Sequence, residues 1–216
     1  MRNMRICLML SALCCCAALP AAADPVHDLV LAAQMDNRST VAQLLDKGAS
    51  PNTVDPATGE SLLIQALREG SERVIDLLLA RKDLQLEQNA PNGNTALMMA
   101  AFKRNQRAVE ALLAKGAQVN RAGWTALHYA AASGDDEIAR ILIAHHAAVD
   151  APSPSQLTPL MIAAREGHES TALVLLRGGA DARLKNNEGL TAAQIAKRAD
   201  KDSIAAAIDA FVPASR

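Results

Sequence analysis

One short phrase recurs along most of this 216-residue chain at nearly constant intervals. It reads TALHYAA at residues 125–131, and it returns as TALMMAA at 95–101 and as TPLMIAA at 158–164. Weaker copies begin at Ser61 and Thr191, so the five starts are separated by 34, 30, 33 and 33 residues. A period of this length is typical of chains that stack one supersecondary unit upon another. The sequence therefore predicts a solenoid, in which each unit buries its apolar faces against its neighbours.

The phrase and its period resemble the ankyrin repeat, whose first helix opens with Thr-Pro-Leu-His. The resemblance covers nearly all of residues 24–216 and implies an all-α solenoid of about six helix-turn-helix repeats with short β-turn fingers. The expected repeats are residues 24–54, 55–88, 89–120, 121–151, 152–184 and 185–216. The resemblance also implies a structural role at the starts of the first helices for Thr95, Thr125, His128, Thr158, Pro159 and Thr191.

The first 23 residues have the pattern of a secretory signal peptide. Arg2 and Arg5 precede an apolar run over residues 6–19, and three alanines end at Ala23. This pattern predicts export and cleavage after Ala23, with 24–216 as the exported domain. Two alternatives stay open, a retained membrane anchor and a lipid attached at one of the cysteines 14–16. All four cysteines lie within the signal, so the cleaved chain has no thiol or disulfide chemistry.

Composition and motifs argue against several classes of function. Cleavage leaves 20 basic and 23 acidic side chains, which is not the strongly basic balance of a nucleic-acid or anionic-membrane binder. The chain contains no nucleophile elbow, phosphate-binding loop or His-Glu-x-x-His motif, so we expect no catalysis and no cofactor. His145, His146 and His168 suggest a metal site only weakly, because no further ligand pattern completes a coordination set. We therefore expect no bound metal.

The resemblance implies that a partner binds on the concave face, which is formed by the finger tips and the exposed sides of the first helices. Trp124 and Phe102 are apolar where the scaffold does not require it, and exposed aromatic residues are common in interface hot spots. The predicted partner-binding residues are Glu60, Arg68, Glu69, Asn94, Phe102, Lys103, Trp124, Ser133, Leu157, Arg165, Glu166 and Leu190.

These observations predict a monomeric, exported protein of the bacterial periplasm that binds another protein and has no membrane contact beyond its signal peptide. Small exported bacterial ankyrin-repeat proteins resemble this chain, and the resemblance implies several roles. The first is an interaction scaffold. The second is an immunity or inhibitor protein, which would neutralise a toxic enzyme through Glu60, Glu69 and Glu166. The third is an accessory role in catalase-linked oxidative-stress defence, or metal handling through the three histidines.

Overall fold

Helices account for nearly all of the regular structure. The computed structural model describes residues 24–211, and the predicted signal peptide lies outside them. Within that part of the chain twelve helices follow one another. They are α1 (Pro25–Gln34), α2 (Arg38–Asp46), α3 (Leu62–Glu69), α4 (Glu72–Leu79), α5 (Ala96–Phe102), α6 (Gln106–Ala114), α7 (Ala126–Ser133), α8 (Asp136–Ala144), α9 (Pro159–Glu166), α10 (Glu169–Arg177), α11 (Ala192–Arg198) and α12 (Asp202–Phe211).

The helices form two parallel rows. The odd-numbered helices, here called inner helices, pack each against the next, and the even-numbered outer helices do the same behind them. Leucines of the inner helices, such as Leu97, Leu127 and Leu160, are buried between the rows together with Leu112 and Leu142 of the outer helices. The core is thus continuous along the stack, as a solenoid requires. The prediction of an all-α solenoid built from helix-turn-helix repeats is confirmed.

Threonine fixes where the inner helices begin. The hydroxyls of Thr95, Thr158 and Thr191 accept a hydrogen bond from the backbone N–H three residues later, at 3.3, 3.4 and 3.4 Å. Such a cap satisfies one of the free N–H groups of the first turn and stabilises a helix by about 1 kcal/mol. Pro159 is the first residue of α9, where a missing N–H costs nothing. The recurring phrase therefore sets the start of each inner helix.

A loop precedes each of α3, α5, α7, α9 and α11, and we call these loops fingers. They comprise residues 54–60, 88–94, 118–124, 151–157 and 184–190. Neighbouring fingers touch: the Asn187 N–H donates to the Ser155 carbonyl at 3.3 Å, and the Arg121 guanidinium donates to the Asn89 side chain at 2.9 Å. The one β-bridge in the described residues, between Val54 and Ser61, closes the first finger. Hydrogen bonds therefore join the second finger to the third and the fourth finger to the fifth.

A sharp turn with a left-handed residue follows most of the outer helices and leads to the next finger. After the outer helices α6 and α10 this residue is Gly116 or Gly179, with φ of 87° and 97°. After α8 it is His146, at φ 63°, where a side chain is less easily accommodated than a hydrogen atom. One turn departs from the series, because Arg81 and Asp83 after α4 form an ion pair at 2.9 Å instead. Among the described helices, none is long and apolar enough to cross a membrane.

Candidate functional site

Three aromatic side chains form a cluster between the third and fourth repeats. The rings of Phe102 and Tyr129 meet edge to face, with centroids 5.9 Å apart, and the Trp124 ring lies 6.2 Å from that of Tyr129. Phe102 is 49% exposed and Trp124 is 38% exposed. The chain has one Trp, one Tyr and two Phe in all, so three of its four such residues meet at this one place. We call Phe102, Trp124 and Tyr129 the aromatic cluster.

Three structural elements bring the cluster together. Phe102 is the last residue of α5, Trp124 is the tip of the third finger, and Tyr129 lies in α7. The Tyr129 hydroxyl donates a hydrogen bond of 2.6 Å to the Asn94 side chain, which is the tip of the preceding finger. Burial raises the pKa of Tyr129, so its hydroxyl remains protonated and continues to donate. Two adjacent repeats thereby hold the tyrosine ring in one orientation.

His128 supports the cluster from beneath. The Thr125 N–H donates to its Nδ1 at 3.1 Å, so that nitrogen is an acceptor and Nε2–H donates to the Leu157 carbonyl at 3.0 Å. The ring is fully buried, and burial lowers the pKa of His128, so the neutral form is the folded one. The Trp124 ring packs edge-on against it, with centroids 5.2 Å apart. His128 therefore positions two finger tips, Trp124 on its own repeat and Leu157 on the next.

The surface that continues from the cluster is here called the groove. It consists of the finger tips Glu60, Asn94, Trp124, Leu157 and Leu190 together with the exposed side chains of the inner helices α3 to α11. At its far end a cleft of about 470 Å³ lies between the last two fingers. Leu157, Leu190, Arg165 and Arg198 are among its lining residues. The groove thus combines apolar tips with guanidinium groups.

The acidic residues of the groove already have partners. Arg68 forms ion pairs with both Glu60 and Glu69, the second at 3.1 Å, and Arg165 pairs with Glu166 at 2.9 Å. These pairs leave little free negative charge on this face. An approaching basic partner would have to compete with the arginines of the protein itself.

The predicted partner-binding residues differ in their exposure and in their contacts. Phe102, Lys103 and Trp124 are exposed, whereas Leu157 and Leu190 are half-buried at their tips. The Ser133 hydroxyl donates to the Ala101 carbonyl at 3.2 Å, so it ties α7 to α5. The partner-binding residues predicted from the sequence did not include Tyr129 and Arg198, which also belong to the groove. Tyr129 sits at the fifth position of the recurring phrase, where Met99 and Ile162 stand in other repeats, and that position was a usable signal.

The histidines considered for a metal site serve other purposes where their contacts are seen. His168 precedes α10, and its Nε2 lies 3.2 Å from the Ala132 carbonyl. His146 occupies the left-handed turn after α8, and its carbonyl accepts a hydrogen bond from Asn120 at 2.7 Å. Across residues 24–211, no group of three or more His, Cys, Asp or Glu side chains comes close enough to hold a metal ion.

Paired helices are stacked in two rows, with loops along one edge and an exposed aromatic cluster. This is the architecture of a repeat protein that presents a contact surface rather than an enclosed pocket. A family model described as ankyrin repeats (3 copies) matches residues 29–122 and 119–186. The chain belongs to the ankyrin-repeat family. Proteins of this family are generally interaction modules that bind other proteins.

Several animal proteins are similar to this chain. Protein glp-1 of Caenorhabditis elegans is 31% identical over 82% of the chain, which is 15% of that protein. The human SH3 and multiple ankyrin repeat domains protein 2 is 34% identical over 76% of the chain, or 9% of that protein. The chain therefore spans less than a fifth of the length of these relatives.

Among solved structures, the ankyrin repeat domain of Bcl-3, a member of the IkappaB protein family, resembles the chain. Its TM-score is 0.68 at 30% sequence identity, and the match covers 82% of this chain and 80% of that domain. The likeness extends over about four fifths of each chain and supports the assignment of the fold.

Proposed function

We propose that this protein binds a partner protein in its groove, with the aromatic cluster at the centre of the interface and no chemistry of its own. The observation that carries the proposal is the exposure of Phe102 and Trp124 beside Tyr129. Tryptophan, tyrosine and arginine are the residues that most often dominate binding energy. A chain with four residues of the Phe, Trp and Tyr types gathers three of them on one surface, and internal packing does not account for rings that stay this exposed.

Preorganisation supports the same proposal. Hydrogen bonds join the second finger to the third and the fourth to the fifth, and His128 and Asn94 fix the tips next to the cluster. A surface held in this way loses little conformational freedom on binding, so more of the contact energy appears as affinity. The proposal includes export to the bacterial periplasm after cleavage following Ala23, which the N-terminal sequence favours.

The experiment is a capture from periplasmic extract with the mature protein, residues 24–216, and a Phe102→Ala, Trp124→Ala double variant. Phe211→Ala is the matched control, because Phe211 is similarly exposed, at 43%, but lies on the last outer helix. Circular dichroism checks that all three proteins are folded. We expect the wild type and the Phe211 variant to retain the same protein, and the double variant to bind it at least about 30-fold more weakly.

Retention of the partner by the double variant would refute the groove assignment. Loss of the partner in the Phe211 variant would point to the outer helices instead. The identity of a retained partner separates an interaction scaffold from an immunity protein, whose partner would be a toxic enzyme. It also separates both from an accessory of oxidative-stress defence. Metal handling requires binding in equilibrium dialysis with zinc and copper, and a mature protein that binds neither ion rules it out.

A further inference from the structure

The last three fingers share a feature that the first two lack. Their tips are apolar, with Trp124, Leu157 and Leu190, whereas the first two tips are Glu60 and Asn94. Leu157 and Leu190 are half-buried and line the cleft between the last two fingers. One apolar tip per repeat therefore runs along the groove from the fourth repeat to the sixth.

The cleft also offers unused hydrogen-bond donors. Arg165 pairs with Glu166 through Nε, and in the described part of the chain its two terminal nitrogens make no hydrogen bond. Arg198 pairs with Glu188 through Nη1, which leaves Nε and Nη2 free among the described residues. A guanidinium binds a carboxylate through two parallel N–H groups more strongly than it binds a neutral acceptor. The cleft is thus suited to an acidic group next to an apolar one.

The spacing of the tips restricts the shape of what can lie across them. Packed helices lie about 8–10 Å apart, so successive finger tips are separated by about the same distance. A polyproline II chain rises about 3.1 Å per residue and has three residues per turn, so it presents one side chain to a surface about every 9 Å. A helix in a groove uses anchors three or four residues apart, about 5–6 Å. Because these anchors are closer together than the finger tips, every second apolar side chain of a bound helix would have no finger tip to pack against.

We propose that the groove of repeats four to six binds an extended segment of the partner protein. This segment carries an apolar residue at every third position, packed against Trp124, Leu157 and Leu190, and a carboxylate side chain between the second and third apolar residues. The carboxylate binds the free N–H groups of Arg165 and Arg198. This inference rests on the proposed function, because it describes the partner of the same groove.

The test is selection of random dodecapeptides, displayed on phage, against the mature protein. We expect the enriched peptides to contain apolar residues three apart with Asp or Glu before the last of them. Synthetic copies can then be titrated against Trp124, since it is the single tryptophan and its fluorescence reports directly on the groove. Leu190→Ala and Arg165→Gln should each weaken binding about tenfold or more. Arg177→Gln, at an exposed position of outer helix α10, should leave it unchanged.

Several results would overturn the inference. These are enrichment of helical apolar spacing, absence of any enrichment, or binding that is indifferent to both groove variants. Failure here is distinguishable from failure of the proposed function. If the periplasmic partner is captured and is lost with the Phe102, Trp124 double variant, the groove is the binding surface, and only the extended, acidic description of the partner is wrong.

Discussion

Replacing Asp150 with asparagine should stabilise the protein. In the neighbouring repeat, Asn120 donates through Nδ2 to the His146 carbonyl at 2.7 Å and accepts the Ala148 N–H at 2.7 Å. Asp150 occupies the same position one repeat later, and its two oxygens accept only from the Asp181 N–H, at 3.0 and 3.2 Å. A carboxylate cannot donate, so Asp150 gives no hydrogen bond to the carbonyl of Gly179, which corresponds in register to that of His146. The Asp150→Asn change restores the donor.

The expected gain follows from one added hydrogen bond. A hydrogen bond contributes about 0.5–1.5 kcal/mol net, so we expect the free energy of unfolding to rise by about 1 kcal/mol. For a domain of this size that corresponds to an increase in Tm of about 2–4 °C. Burial, together with the nearby charge of Asp181, raises the pKa of Asp150 against the effect of its backbone hydrogen bond. The charged carboxylate therefore destabilises the folded protein at neutral pH.

Urea unfolding followed by circular dichroism measures the difference, and pH gives a second test. A carboxyl group whose pKa is raised by folding binds its proton more tightly in the folded protein than in the unfolded chain. The free energy of unfolding therefore decreases as pH rises through the folded-state pKa. The advantage of Asp150→Asn should be full at neutral pH and should shrink under acidic conditions. Asn120→Asp is the reciprocal control and should destabilise. A neutral or destabilising Asp150→Asn, or an advantage that is independent of pH, would refute this reasoning.

Three further changes test separate parts of the scaffold. Burial lowers the pKa of His128, so as pH falls the unfolded chain binds a proton at this residue before the folded protein does. The free energy of unfolding should therefore fall as pH drops below about 6.5. His128→Gln should reduce that loss in unfolding experiments at pH 7.5 and 5.5. A Cβ at Gly134 would lie 2.5 Å from the His168 ring, whereas none would be crowded at Gly70. Both glycines have positive φ, so Gly134→Ala should destabilise by about 1–2 kcal/mol more than Gly70→Ala, and equal losses would contradict the steric argument. His146→Gly should raise the free energy of unfolding by about 0.5–1 kcal/mol by relieving a left-handed side chain, and a decrease would show that the histidine side chain stabilises the turn.

Much of the fold could be predicted because the repeat signals are local. The recurring phrase was expected to mark the starts of the first helices, and α5, α7, α9 and α11 each begin one residue after its threonine, at Ala96, Ala126, Pro159 and Ala192. Capping threonines, periodic leucines and turn glycines act within a few residues of their own position. The sequence of a single repeat is therefore enough to predict its helices and turns.

The groove was less predictable because its contacts join different repeats. Phe102 and Trp124 could be proposed one by one, but the ring that joins them belongs to Tyr129, in a helix that packs beside α5. Likewise, the sequence suggested Glu60 as a contact for a toxic enzyme but did not show that Arg68 pairs with it. Such pairings depend on side-chain directions across the stack, which the order of residues in one repeat does not specify.

The division between buried caps and solvent-facing finger tips bears on how such a protein changes over generations. The threonines that start the inner helices are held by local hydrogen bonds, and the tips Leu157 and Leu190 place only part of their side chains against the core. Substitutions at the tips that keep this apolar contact can therefore accumulate without a large penalty in folding. Related proteins with this fold can therefore evolve to bind different partners while keeping the same stack of helices.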